Sequence, residues 1–247
     1  FVLILAADEV TAHALVTPTG KNPLVGGPLL SCPPPLPVNE AELEDMATLL
    51  AGRPLWFAAC TPREEIAAVL AAQRQAMQSA HRLLLLLMID PDNSDTSWRD
   101  GIRNLTQRDV EGEPDEASEV FVIHGSDELG LWLRLAPLTY LGGSLTSGCA
   151  VDPMQAAALG SALMAGHKDG AWGAPMQRLD AVEAVRRIGT PKALGRVVTA
   201  LMSADHAASL AHHAWILSTE GAPLLNRMTE LALDAADRLP MGQSIRT

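Results

Sequence analysis

Apolar positions in this chain fall into two alternating patterns. Short uninterrupted runs occur at Val2–Ala6, Leu55–Ala59, Leu83–Ile89, Val120–Ile123, Leu138–Leu141 and Ala162–Ala165. Most are bounded by Gly, Pro, Asp or Ser, as the ends of buried strands are. Between them, Glu40–Leu50, Pro62–Ala80, Glu128–Leu135, Pro153–Leu159 and Pro191–Met202 carry the helical pattern. Strand–helix–strand alternation predicts an α/β fold, a Rossmann-like parallel sheet with helices on both faces. From Asp205 to Leu239 the pattern is helical, with no strand. Cys32–Pro37 reads CPPPLP, which fits neither a helix nor a central strand and predicts an extended connector between domains. The acidic stretch Asp109–Ser118 predicts a mobile surface loop.

Composition narrows the choices. The 247 residues are 48% hydrophobic and 19% charged, enough for a sizeable core and too apolar for disorder. A net charge of −11 argues against a nucleic-acid partner, which a basic face would serve. Cys32, Cys60 and Cys149 are odd in number and widely spaced, so they read as reduced thiols and not as a disulfide framework or zinc site. The opening run FVLILA meets Asp8-Glu9 at once and is too short to span a bilayer. It reads as a strand that begins within a longer protein.

The stretch richest in chemistry is Leu138 to Gly166, LTYLGGSLTSGCAVDPMQAAALGSALMAG. A strand ends in Gly142-Gly143-Ser144, a glycine- and hydroxyl-rich loop follows, and Asp152-Pro153 opens a helix. Parallel sheets bind ligands at the carboxyl ends of their strands, where glycines admit a phosphate to backbone amides and the helix dipole favours anions. An ordinary strand–helix turn explains the same residues equally well. No GxGxxG follows the first strand, no GxxxxGK[ST] occurs, and GGSLT lacks the last glycine of GxSxG, so an NAD fingerprint, a P-loop and a nucleophile elbow are all absent. His206, His212 and His213 have no metal-ligand spacing and read as packed or solvated. The pairs Asp8-Glu9 and Glu64-Glu65 stand at strand-to-helix transitions, where carboxylates favour the helix N-terminus. Trp132 reads as core, and Trp172, in HKDGAWGA, as the better stacking candidate of Trp132, Trp172 and Trp215. Cys60 and Cys149 lie near the presumed site without a visible base to activate either thiol.

These residues resemble the bacterial 3-deoxy-D-manno-octulosonic acid (Kdo) transferases. That family carries a PPLP–helix–RPVWLAAST pattern, a GELGLWYRLA-like segment, GGSL, a glycine-rich loop and Asn/Asp-Pro-x-Glu. This chain reads PPPLPVNEAEL, RPLWFAACT ending at Thr61, DELGLWLRLAPLTYLGGSL from Asp127, and Asp152-Pro153-Met154-Gln155 followed by AAALG. The start, LILAADEVTAHAL, resembles the last strand and helix of the family's amino-terminal domain, with Val25–Leu29 as the crossover strand. Order and spacing agree over roughly residues 1–235.

The resemblance implies one domain of a two-domain (GT-B type) glycosyltransferase at the cytoplasmic face of the bacterial inner membrane. Residues 1–31 would end the amino-terminal acceptor domain, 32–37 would be the linker, 38–204 the nucleotide-sugar-binding domain and 205–247 a C-terminal helical segment. The donor would be CMP-Kdo and the acceptor a lipid A precursor held by the amino-terminal domain, which also supplies the base. No cofactor, metal or catalytic residue is implied within this chain. Donor contacts are implied for Thr61, Glu128, Leu129, Gly142, Gly143, Ser144, Gly148, Asp152, Gln155 and Lys168. The phosphate would meet amides around Gly142–Ser144 and helix N-termini near Thr61 and Asp152, and the ribose would meet Gln155.

The chain departs from the family at four places. Gln155 replaces a glutamate, and Met88-Ile89-Asp90-Pro91 replaces a run with a phosphate-binding arginine. Asp127 replaces a glycine, and Thr61-Pro62 a Thr-His pair. The alternatives are therefore a catalytically degenerate homologue that binds a related nucleotide-sugar or a partner, and a UDP-sugar transferase or epimerase.

Overall fold

Alternate residues of the central strands face opposite ways, and this parity builds the architecture. The computed structural model describes residues 3–27, 33–34, 36–90, 97–100 and 102–237. They divide into two units, Phe1–Cys32 with Thr219–Thr247, and Pro33–Ser218. In the first unit, β1 (Leu5–Ala6) pairs in parallel with β2 (Leu24–Val25). Helix α1 (Glu9–Thr19) joins them, capped by the Asp8 carboxylate accepting from the Thr11 amide at 2.7 Å. Helix α10 (Ala222–Asp237) completes it. Val2, part of the expected first strand, and Pro28 and Leu29, part of the expected crossover strand, lie outside the described residues, as do Cys32 and Pro35 of the expected linker.

The second unit holds a seven-stranded, all-parallel sheet of order β5-β6-β4-β3-β7-β8-β9. Its strands are β3 (Leu55–Thr61), β4 (Leu84–Ile89), β5 (Leu105–Gln107), β6 (Val120–His124), β7 (Leu138–Leu141), β8 (Ala162–Ala165) and β9 (Val185–Arg187). The helices are α2 (Glu40–Leu49), α3 (Arg63–Ala76), α4 (Arg108–Glu111), α5 (Leu129–Leu135), α6 (Pro153–Ala158), α7 (Gly173–Ala181), α8 (Leu194–Leu201) and α9 (Ala204–Thr219). Phe57, Leu84, Leu86, Met88, Phe121 and Leu163 enter one core cluster with Trp132 and Met176. Their neighbours Trp56, Leu85, Leu87, Val122, Tyr140 and Met164 enter the other, with Ile66, Val69 and Val198. The sheet is thus covered on both faces, and each large side chain fully buried in it contributes roughly 1.5–3 kcal/mol.

The structure adds strands β5 and β9 and helix α7, and ends α3 at Ala76, not Ala80. Pro191–Met202 splits into a 3-10 turn at Pro191–Ala193 and α8. The stretch expected to be a mobile surface loop is mostly exposed and is bonded at its two ends. It begins within α4, and Arg53 donates to the carbonyls of Arg82 at 3.0 Å and Asp115 at 2.8 Å, and also to that of Ser118. The Ser118 hydroxyl, buried, donates to the Asp115 carboxylate at 2.7 Å and accepts from Thr106 at 2.9 Å. Arg53 and Arg82 flank the amino ends of β3 and β4, so that end of the sheet is closed by bonds to the chain itself.

Candidate functional site

The sheet reverses its winding between β3 and β7. From β3 the chain builds outward through β4 and β6 on one side, then returns to place β7, β8 and β9 on the other. In open parallel sheets such a reversal marks the place of a ligand crevice, at the carboxyl ends of the strands. The loop after β7 is the predicted glycine-rich turn. Gly142 N–H donates to the Ala59 carbonyl at 2.9 Å, which carries the ladder past the last paired residues, Ala59 and Leu141. A β-carbon on Gly142 would collide with the Ala59 and Cys60 carbonyls. Gly143 has φ +81°, and a β-carbon there would strike the Gly148 carbonyl. Only glycine fits either place.

The centre of this turn is a side chain that the sequence reading assigned to a helix start. Glu65, in the first turn of α3, is 1% exposed. One carboxylate oxygen accepts from the Tyr140 hydroxyl at 2.6 Å and the Gly143 amide at 2.8 Å. The other accepts from the Leu145 amide at 2.9 Å and the Thr146 hydroxyl at 2.8 Å. Burial, then the adjacent Glu65 carboxylate, pushes the Tyr140 phenol well above its usual range. The same bonds correct one expectation. The amides of Gly142, Gly143 and Ser144 already donate to Ala59, to Glu65 and, at 3.4 Å, to the Leu141 carbonyl. A nested carboxylate holds one of the three donors expected to meet a phosphate, and backbone carbonyls hold the other two.

Ser144 is fully buried and joins β7 to β8, its hydroxyl donating to the Leu141 carbonyl at 2.5 Å and accepting from Gly166 N–H at 2.8 Å. Its own carbonyl accepts from Lys168 N–H at 2.8 Å, and the Lys168 carbonyl accepts from Cys149 N–H at 3.0 Å. Lys168 therefore stitches the glycine loop with its backbone while its side chain is exposed. Arg187 holds the same loop from β9, donating to the Gly166 carbonyl at 2.6 Å and pairing with Asp169 at 2.7 Å and Asp180 at 2.8 Å. These two carboxylates, Asp180 first, raise its pKa. Asp152 caps α6 as expected, accepting from Met154 N–H at 2.9 Å, and burial raises its carboxyl pKa. Gln155 stands in the first turn of α6, half-buried, with no side-chain hydrogen bond among the described residues. Gly148, φ +125°, packs a β-carbon position 3.0 Å from Gly170 Cα.

Other expected contacts lie apart from this turn. Glu128, just before α5, is held by Arg108, whose Nε reaches both carboxylate oxygens at 3.2 Å, and accepts from Trp132 Nε1 at 3.2 Å. Arg108 also pairs with Glu42. Beside Glu128 a hollow of about 310 Å³ is lined by Pro37, Asn39, Asp127 and Leu131. Leu129 packs against the core. Trp132 is fully buried and meets Phe121 edge-on at 5.7 Å, a core role as expected, whereas Trp172 is half-buried and packs on the same core. Both thiols are buried; burial raises Cys60 to about 11 and Cys149 to about 12, so neither is an activated nucleophile at neutral pH. No group of His, Cys, Asp and Glu among the described residues is arranged to hold a metal. Nor is any helix among them long and apolar enough to cross a membrane.

At the end of β3 the backbone breaks its ladder. The pairing with β4 shifts between Ala58 and Thr61, and Cys60 takes φ +47°, unusual for a residue with a side chain. The bulge leaves Thr61 fully buried. Among the described residues, two buried side-chain polar atoms lack a hydrogen-bond partner, Thr61 Oγ1 and Arg99 Nε. Thr61 pairs with Ile89 and Ile89 with His124, and Arg99 donates to His124 Nε2 at 2.8 Å. Both orphaned atoms thus belong to the carboxyl ends of the strands beside the crevice. Asp90, next to Ile89, donates its N–H to the Thr61 carbonyl at 3.1 Å, while Pro91 lies outside the described residues.

This is the fold of a GT-B glycosyltransferase domain. In particular, the C-terminal CMP-Kdo binding domain of WaaA from Acinetobacter baumannii superposes with a TM-score of 0.64 at 18% identity, covering 72% of this chain and 98% of that one. A glycosyltransferase from Rickettsia africae gives 0.52 at 11% identity, over 96% of this chain and 64% of that one. HepE from Anabaena, in complex with UDP, gives 0.50 at 10% identity, over 94% and 64%. This chain therefore spans less than two thirds of those two longer proteins. No family model matches the chain.

Proposed function

We propose that this chain binds a nucleotide-activated sugar and orients it for transfer, as the donor half of a glycosyltransferase of the Kdo transferase kind. The observation that carries the reading is the reversal of strand order between β3 and β7, beside a glycine turn in which no side chain fits at residues 142 and 143. Its donor is CMP-Kdo, and the whole protein's reaction is attack by a hydroxyl of a lipid A precursor on the anomeric carbon, with CMP leaving. The chain's own part is positioning, which lowers the barrier by holding the reacting bond in line. Thr61, Gly142, Gly143, Ser144 and Gly148 shape the wall, Asp152 and Gln155 present the start of α6 to the ribose, and Lys168 faces the sugar's negative charge. Glu128 and Leu129 line the approach from α5.

Support comes from the fold of the WaaA domain, whose ligand is CMP-Kdo. The test is calorimetric titration with CMP, UDP and NAD. The expected result is saturable CMP binding, stronger than UDP, and weakened several-fold by Gln155→Leu. Preference for UDP would assign the chain to the UDP-sugar transferases or epimerases. No heat with CMP at millimolar concentration would overturn the reading and favour a degenerate homologue with another ligand or a partner. The substitution of Ile89 for an expected arginine motivates that second reading.

A further inference from the structure

The glycine turn raises a problem of charge. The Gly143 and Leu145 amides are spent on Glu65, a carboxylate placed where an anion was expected, and those of Gly142 and Ser144 on backbone carbonyls, so a ligand's phosphate must be held by something else. The sequence offers no cation at Ile89, the end of β4. The structure brings one there from ten residues downstream. The 3-10 turn Ser97–Arg99 folds back over the strand ends, tied to the start of α3 by Arg63, whose guanidinium donates to the Ser97 hydroxyl at 3.2 Å. Arg99 is then fixed on two sides. Its guanidinium lies 5.4 Å from the Trp98 ring, and one amino group donates to His124 Nε2 at 2.8 Å. A guanidinium can only donate, so Nε2 is the acceptor.

This bracing is unusual in what it leaves unmade. No carboxylate pairs with Arg99 among the described residues, and its Nε is buried without a partner. Arg99 as a whole is half-buried, and a partly desolvated cation without a counter-ion favours an anionic partner. The edge of a planar guanidinium presents parallel N–H groups, a match for phosphate oxygens. His124, in register with Ile89 and through it with Thr61, sets this group at the carboxyl edge of β6, on the β4 side of the crevice.

We propose that Arg99, braced by His124 and Trp98, is the residue that grips the phosphate of the bound nucleotide, in place of the arginine missing at residue 89. The inference rests on the nucleotide-sugar reading but concerns a different atom set, so the two can fail separately. The chain and its Arg99→Gln and Arg99→Lys variants are titrated with CMP, cytidine and pyrophosphate, with circular dichroism as the folding control. Arg99→Gln is expected to lower CMP affinity about tenfold, leave cytidine unchanged and abolish pyrophosphate binding, consistent with the loss of a charge-assisted contact. Arg99→Lys, which keeps the charge but not the fork, recovers part of the loss and serves if the glutamine variant does not fold. His124→Ala is expected to lose less than Arg99→Gln. Wild-type affinity for CMP and pyrophosphate in both Arg99 variants would overturn the inference and leave the nucleotide reading standing. Pyrophosphate binding that depends on Arg99, without any nucleotide binding, would uphold the anion site and remove the nucleotide reading. Binding of none of the three ligands to the parent chain would remove both.

Discussion

The two sides of the crevice are built on opposite terms. On the β7 side, the turn from Gly142 to Cys149 satisfies its donors internally, through Glu65, Ser144 and the backbone of Lys168. On the β4 and β6 side, Thr61 and Arg99 each keep a buried polar atom without a partner. A wall whose bonds are complete has shape but little left to offer a ligand. An edge with unmade bonds has appetite but contributes nothing to its own stability. The difference separates the residues that fix the crevice from those that hold what enters it.

The largest test of this division is Glu65→Ala. Two amides and two hydroxyls would lose their acceptor, and at about 1–3 kcal/mol for each of the two buried donors, Tyr140 Oη and Gly143 N, the loss should reach roughly 2–6 kcal/mol. Urea denaturation measures it; a change under 1 kcal/mol would mean the turn holds its shape without the carboxylate. Next comes Gly143→Ala, which sets a β-carbon against the Gly148 carbonyl at φ +81°. Strain of this kind is worth about 2–3 kcal/mol, read from the same denaturation curves, and a neutral result would show the turn to be pliable. The smallest effect, and the most pointed, is expected from Thr61→Val. If the Thr61 hydroxyl is an unmet cost in the free protein, replacing it with a methyl should stabilise by up to about 1 kcal/mol while weakening nucleotide binding. Destabilisation by more than that would show that the hydroxyl is satisfied in solution and would dissolve the contrast between the two sides.

Much of the fold was readable because parallel strands buried on both faces write themselves as unbroken apolar runs, Leu84–Ile89 most clearly. The edges escaped for the converse reason. Strand β5 is Leu-Thr-Gln and β9 Val-Arg-Arg, three residues each, with polar side chains that no window separates from loop. The glycine turn was visible from its glycines, but its organiser was not. Glu65 beside Glu64 at the start of α3 looks like any acid at a helix N-terminus, and its partners lie 75 to 81 residues away. Arg99 was hidden by position: the motif led to Ile89 and Asp90, and only the 3-10 turn carries Arg99 back to the strand ends. Arg187 was equally silent, since its partners Asp169 and Asp180 are joined to it by folding and by no local pattern.

The nested carboxylate also bears on the order in which the chain folds. Glu65 belongs to the first half of the sheet, where β3, α3 and β4 adjoin in sequence and can associate early. Its four donors arrive only with β7, after an intervening loop that spans β4, β5 and β6. Until then the carboxylate stays hydrated, and the glycine turn has no template on which to close. Were the bonds around Glu65 to form after the step that sets the folding rate, they would act chiefly as a brake on unfolding. Residues that shape the crevice would in this way also set the lifetime of the native state.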